Sequence, residues 1–174
     1  MPIAILDVDY TAAPGATAAC VVAERWTDPV PIETHALPIA NVQPYAPGRF
    51  FERELPCLLA VLPRISVPIE VLVIDGYVVL DADGTPGLGA HLHAHFGGRS
   101  AVVGVAKTPY HGSAFATPVL RGGSRNPLFV TAVGLDVAEA ARHVAGMHGK
   151  HRIPTLLGWV DRLAAGDPPP WPSG

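Results

Sequence analysis

The stretch Ile69-Glu70-Val71-Leu72-Val73-Ile74-Asp75-Gly76 decides the fold. Apart from Glu70 it is apolar and rich in β-branched residues up to its aspartate. Such a nearly continuous run reads as an internal strand covered on both faces, as in a parallel sheet between helical layers. It ends on a carboxylate and a glycine, where sheets give way to loops and sites are built. Ala101 to Ala106, followed by Lys107, is a second run of this kind. A third strand starts almost at once, Ile3 to Val8, with Asp7 at or near its end. If the strands of Asp7 and Asp75 are neighbours, the two carboxylates converge and share a proton or a divalent cation. Otherwise each is a solvent-facing strand end or a turn former.

Outward from these runs, Pro14-Gly15 and Thr27-Asp28-Pro29 are turns. They separate Ile3–Val8, Thr17–Val22 and Ile32–Ile39 into an antiparallel three-strand meander. From Arg49 to Leu62 the period changes, and Phe50, Phe51, Leu55, Leu58, Leu59 and Leu62 form a helical stripe closed by Pro63 and Pro68. Leu88 to Phe96 is a short helix or a loop. Phe115–Leu120 and Leu128–Val133 flank Gly122-Gly123 as a hairpin. Asp136, with Glu139 three residues on, is a capping box for a helix whose apolar face is Val137, Ala140, Ala141, Val144 and Met147. Ile153 to Leu163 is the closing helix, with Pro154 in its first turn. The expectation is an α/β fold in one domain, residues 1–166. Its mixed sheet begins with the antiparallel meander and carries helices on both faces. A Pro-rich tail, 167–174, follows as a loose end or a docked irregular segment.

Composition narrows the function. The 174 residues are 49% hydrophobic and 16% charged, with a net charge of −3, too apolar for a disordered chain. Only two of the twelve basic residues are lysines, which argues against a general coat on nucleic acid. A compact site that meets phosphate through bound cations is compatible with that charge. No apolar run reaches the roughly 20 residues of a membrane span, and Met1–Tyr10 has no basic head. A cytoplasmic monomer is expected, with Cys20 and Cys57 as buried thiols in a reducing compartment.

Several side chains carry candidate chemistry. Asp9 shares a strand face with Asp7 and is a second ligand or an exposed flank. Glu54 and Asp161, taken alone, are solvated helix residues. Lys107 at its strand end either holds a phosphate as a point charge or snorkels. His91, His93 and His95 would share one face of a strand and could serve zinc; a helix would spread them. In Pro44-Tyr45-Ala46-Pro47-Gly48 two prolines fix Tyr45 on a turn, where it leads into a helix or stacks on a base.

Together these segments resemble the endonuclease V family, deoxyinosine-directed nucleases on an RNase H-like fold. Asp7-Val8-Asp9-Tyr10 is similar to the family's first catalytic strand end. Residues Pro44 to Glu54 resemble its P-Y-x-P-G-x-x-x-x-R-E block, Val73-Ile74-Asp75-Gly76 its V-D-G strand end, and Gly104-Val105-Ala106-Lys107 its G-V-A-K. Asn126-Pro127-Leu128-Phe129-Val130 resembles a late N-P-L-F strand, and His151-Arg152-Ile153-Pro154 with Asp161 the closing segment. The blocks keep their order over about nine tenths of the chain.

The resemblance implies a Mg²⁺-dependent endonuclease, with Mn²⁺ as substitute. It would hydrolyse a phosphodiester bond 3′ to deoxyinosine in DNA, or inosine in RNA, in nucleic-acid repair. The cut falls at the second phosphodiester on the 3′ side and leaves 5′-phosphate and 3′-hydroxyl ends. Asp7 and Asp75 would bind the metal, Glu54 and Asp161 would complete the acidic set, and Lys107 would sit near the cleaved phosphate. Tyr45 would be the wedge, with Gly48 and Gly76 beside the substrate. The base would enter a pocket around Gly76 to Gly89 and Ala90 to Gly97. The chain departs from the family in having no leading segment before Ile3. It also has Asp81 where the family has histidine, Gly134-Leu135-Asp136-Val137-Ala138 for G-H-R-[VI]-S, and Leu156-Leu157-Gly158 for P-T-R. The alternative is a catalytically weak or inactive nucleic-acid-binding or interaction domain on the same fold.

Overall fold

The computed structural model describes residues 1–11, 14–111 and 114–171. The three residues 172–174 of the expected tail lie outside that range. Among the described residues a seven-stranded sheet runs through the molecule. Its strands are β1 (Ile3–Asp9), β2 (Ala16–Ala23), β3 (Glu33–Ile39), β4 (Val71–Asp75), β5 (Ala101–Ala106), β6 (Thr117–Val119) and β7 (Leu128–Val133). Their order is β3-β2-β1-β4-β5-β7-β6. β1, β2 and β3 form the antiparallel meander, and β1-β4 and β4-β5 are parallel. β5-β7 and β7-β6 are antiparallel, so the hairpin exists, although β6 is shorter than the apolar run of Phe115–Leu120.

Alternation along the strands sorts the core into two layers. Ile3, Ile5, Val71, Val73, Val103 and Val105 face α3 (Val137–Gly146) and α4 (Thr155–Ala164). Ala4, Leu6, Leu72, Ile74 and Val102 face α1 (Phe50–Val61) and α2 (Leu88–His95). Helices therefore cover both faces, and β4, buried on each side, needs the unbroken apolar run that announced it.

Local details follow from the residues. Asp136 caps α3 by accepting from the Glu139 amide, but Glu139 points to His143 at 3.6 Å, so only half of the capping box forms. Pro154 stands at the N-cap of α4 rather than in its first turn, because the helix begins at Thr155. Pro56 lies inside α1 on its exposed side, and the helix continues into a 3-10 turn at Leu62–Arg64. The tail is docked as far as Trp171, whose ring meets Trp159 edge-on at 5.2 Å and packs on the α3/α4 layer. Cys20 and Cys57 are buried free thiols. Among the described residues no helix is long and apolar enough to cross a membrane.

Candidate active site

The register of the parallel pair brings the first two carboxylates together. Leu6 pairs with Ile74, so Asp7 and Asp75 stand at the next level of adjacent strands, on the α4 side, about 5 Å apart along the sheet. Asp7 is buried, 7% exposed, and its Oδ1 accepts from the Val8 amide at 2.9 Å. Burial pushes its carboxyl up to about 7, helped by the charges of Asp75 and Asp161 and by a hydrogen bond with Asp161 against the Val8 amide. Asp75 is a third exposed, and Lys107 Nζ donates to its Oδ2 at 3.1 Å. Burial alone would lower the Lys107 ammonium pKa, but Asp75, Asp161 and Asp7 together carry it above its ordinary value.

Glu54 corrects the expectation of a solvated helix residue. It is 4% exposed, and its Oε2 has no hydrogen-bond partner among the described residues. Burial, then the charges of Asp7 and Asp75, pushes its carboxyl well above the usual range, while Arg53 pulls the other way. α1 thus aims a carboxylate at the end of β1 from the sheet face opposite α4. The Arg53 guanidinium beside it lies over the Tyr10 ring, 3.7 Å from the centroid. Asp161 remains exposed on α4, as read, yet it acts on Asp7 across the β1–α4 contact.

Other candidates separate. Asp9 is not a bare flank, because its Oδ1 accepts from the Thr11 amide at 2.8 Å and from the Thr11 hydroxyl at 2.5 Å. His91, His93 and His95 lie on a helix, so the strand geometry that zinc required is absent. His91 stacks on Phe51, His93 Nδ1 is 2.8 Å from the Ser100 carbonyl oxygen, and His95 meets Phe96 edge-on. Asp81 closes its own turn, accepting from the amides of Asp83 and Thr85 and from the Thr85 hydroxyl.

An open cleft of about 600 Å³ adjoins Asp75 and Lys107, walled by Tyr45, Phe51, Gly76, Tyr77 and Gly87. Gly48 also lines it, so Tyr45, Gly48 and Gly76 border one cleft. Of the suggested base pocket, the Gly76–Gly89 half forms the wall. None of Ala90–Gly97 lines it, Leu88 being the one residue of α2 that reaches the cleft. Gly104 makes this wall possible. A Cβ there would lie 2.5 Å from the Gly76 carbonyl oxygen and 2.7 Å from Thr131 Oγ1, which accepts from the Val78 amide at 2.8 Å. The loop after Asp75 therefore crosses β5 at a distance only glycine permits.

Among the described residues no group of three or more His, Cys, Asp or Glu side chains is placed to hold a metal ion, so an ion here would rest on at most two protein ligands. Mg²⁺ is held by one or two carboxylates, with waters and substrate phosphates completing its shell. The two aspartates at the ends of adjacent strands fit that demand, with the buried Glu54 carboxyl unpartnered nearby.

Comparison with known proteins comes out on one side. A family model described as Endonuclease V matches residues 2–145, a span that stops short of α4. The endonuclease V of Streptomyces avermitilis is 32% identical over 141 residues, covering 69% of this chain and 60% of that protein. The chain spans less than two thirds of the length of the curated relatives it matches first. The crystal structure of the Streptomyces avermitilis endonuclease V superposes with a TM-score of 0.74 at 26% identity, covering 95% of this chain and 80% of that one. A Ciona intestinalis endonuclease V, solved with a 24mer DNA containing an inosine followed by a ribo-adenosine, gives 0.72 at 20% identity, covering 94% and 84%. At that identity it bears on the fold alone, which is the mixed-sheet, RNase H-like one expected.

Proposed function

The chain belongs to the endonuclease V family, and from that premise we propose that it is a Mg²⁺-dependent endonuclease acting on inosine-containing nucleic acid. The bond hydrolysed is a phosphodiester 3′ to deoxyinosine in DNA, with inosine in RNA open to the same chemistry, and the purpose is repair of deaminated adenine. One observation carries this reading. Asp7, Asp75 and the buried Glu54 gather at one end of the parallel strands, with Lys107 on Asp75 and an aromatic cleft alongside.

In this reading Asp7 and Asp75 hold the ion, and Glu54 completes the acidic set directly or through waters. Held by these residues, Mg²⁺ would supply an activated water and Lewis-acid polarisation of a phosphoryl oxygen. Lys107 offers a compact positive charge to the phosphate from the lip of the cleft. Tyr45, fixed by Pro44 and Pro47, stacks where the inosine leaves the helix, and the cleft beside Gly76 takes the extruded base. A deaminated base pairs weakly, so extruding it costs less than extruding a normal one.

The test is a labelled duplex with one deoxyinosine, set against a matched deoxyadenosine duplex, in Mg²⁺ or Mn²⁺. The wild type nicks only the inosine strand. Asp75→Asn, with a melt near wild type, does not cut. Absence of cutting by the wild type in either ion, or full nicking by Asp75→Asn, would overturn the proposal.

A further inference from the structure

Arg152 lies in the bend before α4, apart from the reacting groups, and its guanidinium grips backbone. Nε donates to the Asn126 carbonyl at 2.9 Å. Nη2 donates to the Pro127 carbonyl at 3.0 Å and to the carbonyl of Lys107. Asn126 and Pro127 lead into β7, and Lys107 is the first residue past β5. The last ladder pair between those strands is Ala106 with Phe129, so Lys107 stands one step beyond the point where the sheet fixes the chain. From there its Nζ reaches Asp75 at 3.1 Å. Arg152 is itself held from behind. Gly122, at φ +63°, packs so closely on the main chain of His151 and Arg152 that a Cβ would lie 2.7 Å from the Arg152 backbone nitrogen.

We propose that Arg152 is a positioning residue that fixes the Lys107 backbone, and so aims the Lys107 ammonium at Oδ2 of Asp75. The consequence for catalysis rests on the nuclease reading above; the clamp itself does not. Only a planar guanidinium presents donors in a fixed fork able to span three carbonyls from two segments. The sequence marks Arg152 only as part of a short block, because its three acceptors are backbone atoms that leave no side-chain signal.

Two lysines in the whole chain, Lys107 and the exposed Lys150, make the test clean. With ¹³C-labelled lysine, the wild type shows a Lys107 ε-methylene signal with inequivalent protons, apart from a Lys150 signal of free-lysine character. In Arg152→Gln the Lys107 signal moves to join that of Lys150. An unmoved Lys107 signal overturns the clamp. If Arg152→Gln does not fold, solvent exchange of the Arg152 guanidinium protons in the wild type decides: slow exchange supports the clamp and fast exchange overturns it.

The kinetic arm is a double-mutant cycle on inosine-containing DNA. Arg152→Gln lowers kcat by about 10- to 100-fold with KM changed less than about threefold, as misplacement of a reacting group does. In a Lys107→Ala background the same substitution costs less than about threefold, because its effect passes through Lys107. Equal losses in both backgrounds would show a structural role only and overturn the proposal. A wild type that cuts nothing would defeat the nuclease reading, while the lysine signals would still decide the clamp.

Discussion

Replacing Asp7 by Asn should stabilise the metal-free protein at pH 8, and by clearly less, about a third as much, at pH 5. Burial and the neighbouring acids hold the Asp7 carboxyl at about 7 in the folded chain, against 3.8 for a free side chain. A raised carboxyl pKa means that charging this group opposes folding. The penalty is absent below about pH 4, grows as pH rises between the two values, and is complete above about 7. The gap converts to about 4 kcal/mol at most, at 1.36 kcal/mol for each tenfold change in proton affinity. Asn keeps an oxygen for the Val8 amide, now 2.9 Å from Oδ1, and its NH₂ can donate to the Asp161 or Asp75 carboxylate. The acids share their repulsion and the new amide must be held in place, so a net gain of about 1–3 kcal/mol is expected at pH 8. Urea unfolding at pH 5 and pH 8 in EDTA measures it, for wild type and Asp7→Asn side by side. Adding Mg²⁺ at pH 8 should raise the wild type and leave the variant unchanged. A variant less stable than wild type at pH 8, or a difference identical at the two pH values, would refute the account of Asp7 as a buried, mutually repelled carboxylate.

Three further outcomes are expected. Gly104→Ala forces the Gly76 carbonyl away from β5, so it should lower stability by about 1–3 kcal/mol and cut cleavage at the same time; a normal melt with normal cleavage would show that the crossing loop tolerates a methyl. Tyr45 is 60% exposed, so Tyr45→Ala should leave the melt unchanged while weakening affinity for inosine-containing DNA by about 1–3 kcal/mol, read by titration in Ca²⁺ at fixed salt. With a net charge of −3 and few lysines, the magnitude of the slope of log K against log salt for the inosine duplex should be roughly 2–4, and a value near 8 would mean that many more phosphates are neutralised.

The elements and most of the sheet are legible from local pattern along the chain. The apolar runs ending at Asp75 and Lys107 are read one residue at a time, since a strand buried on both faces needs every position apolar. The meander turns, the Asp136 cap and the stripe of α1 are equally local. Asp7, Asp75 and Lys107 stood out because each interrupts or ends an apolar run, a contrast visible without a third dimension. The remaining features depend on partners distant in the chain. Glu54 looks like any polar position on a helix until α1 is laid against the end of β1, where burial and the charges of Asp7 and Asp75 change its chemistry. His91, His93 and His95 carried a metal-like spacing whose meaning turned wholly on strand or helix, and α2 sends them to Phe51, Ser100 and Phe96. Arg152 grips backbone carbonyls, which every residue owns, so no pattern of side chains could reveal which ones it would meet. Period and turn chemistry are properties of neighbours in sequence, whereas burial, charge repulsion and hydrogen-bond partnership are properties of neighbours in space.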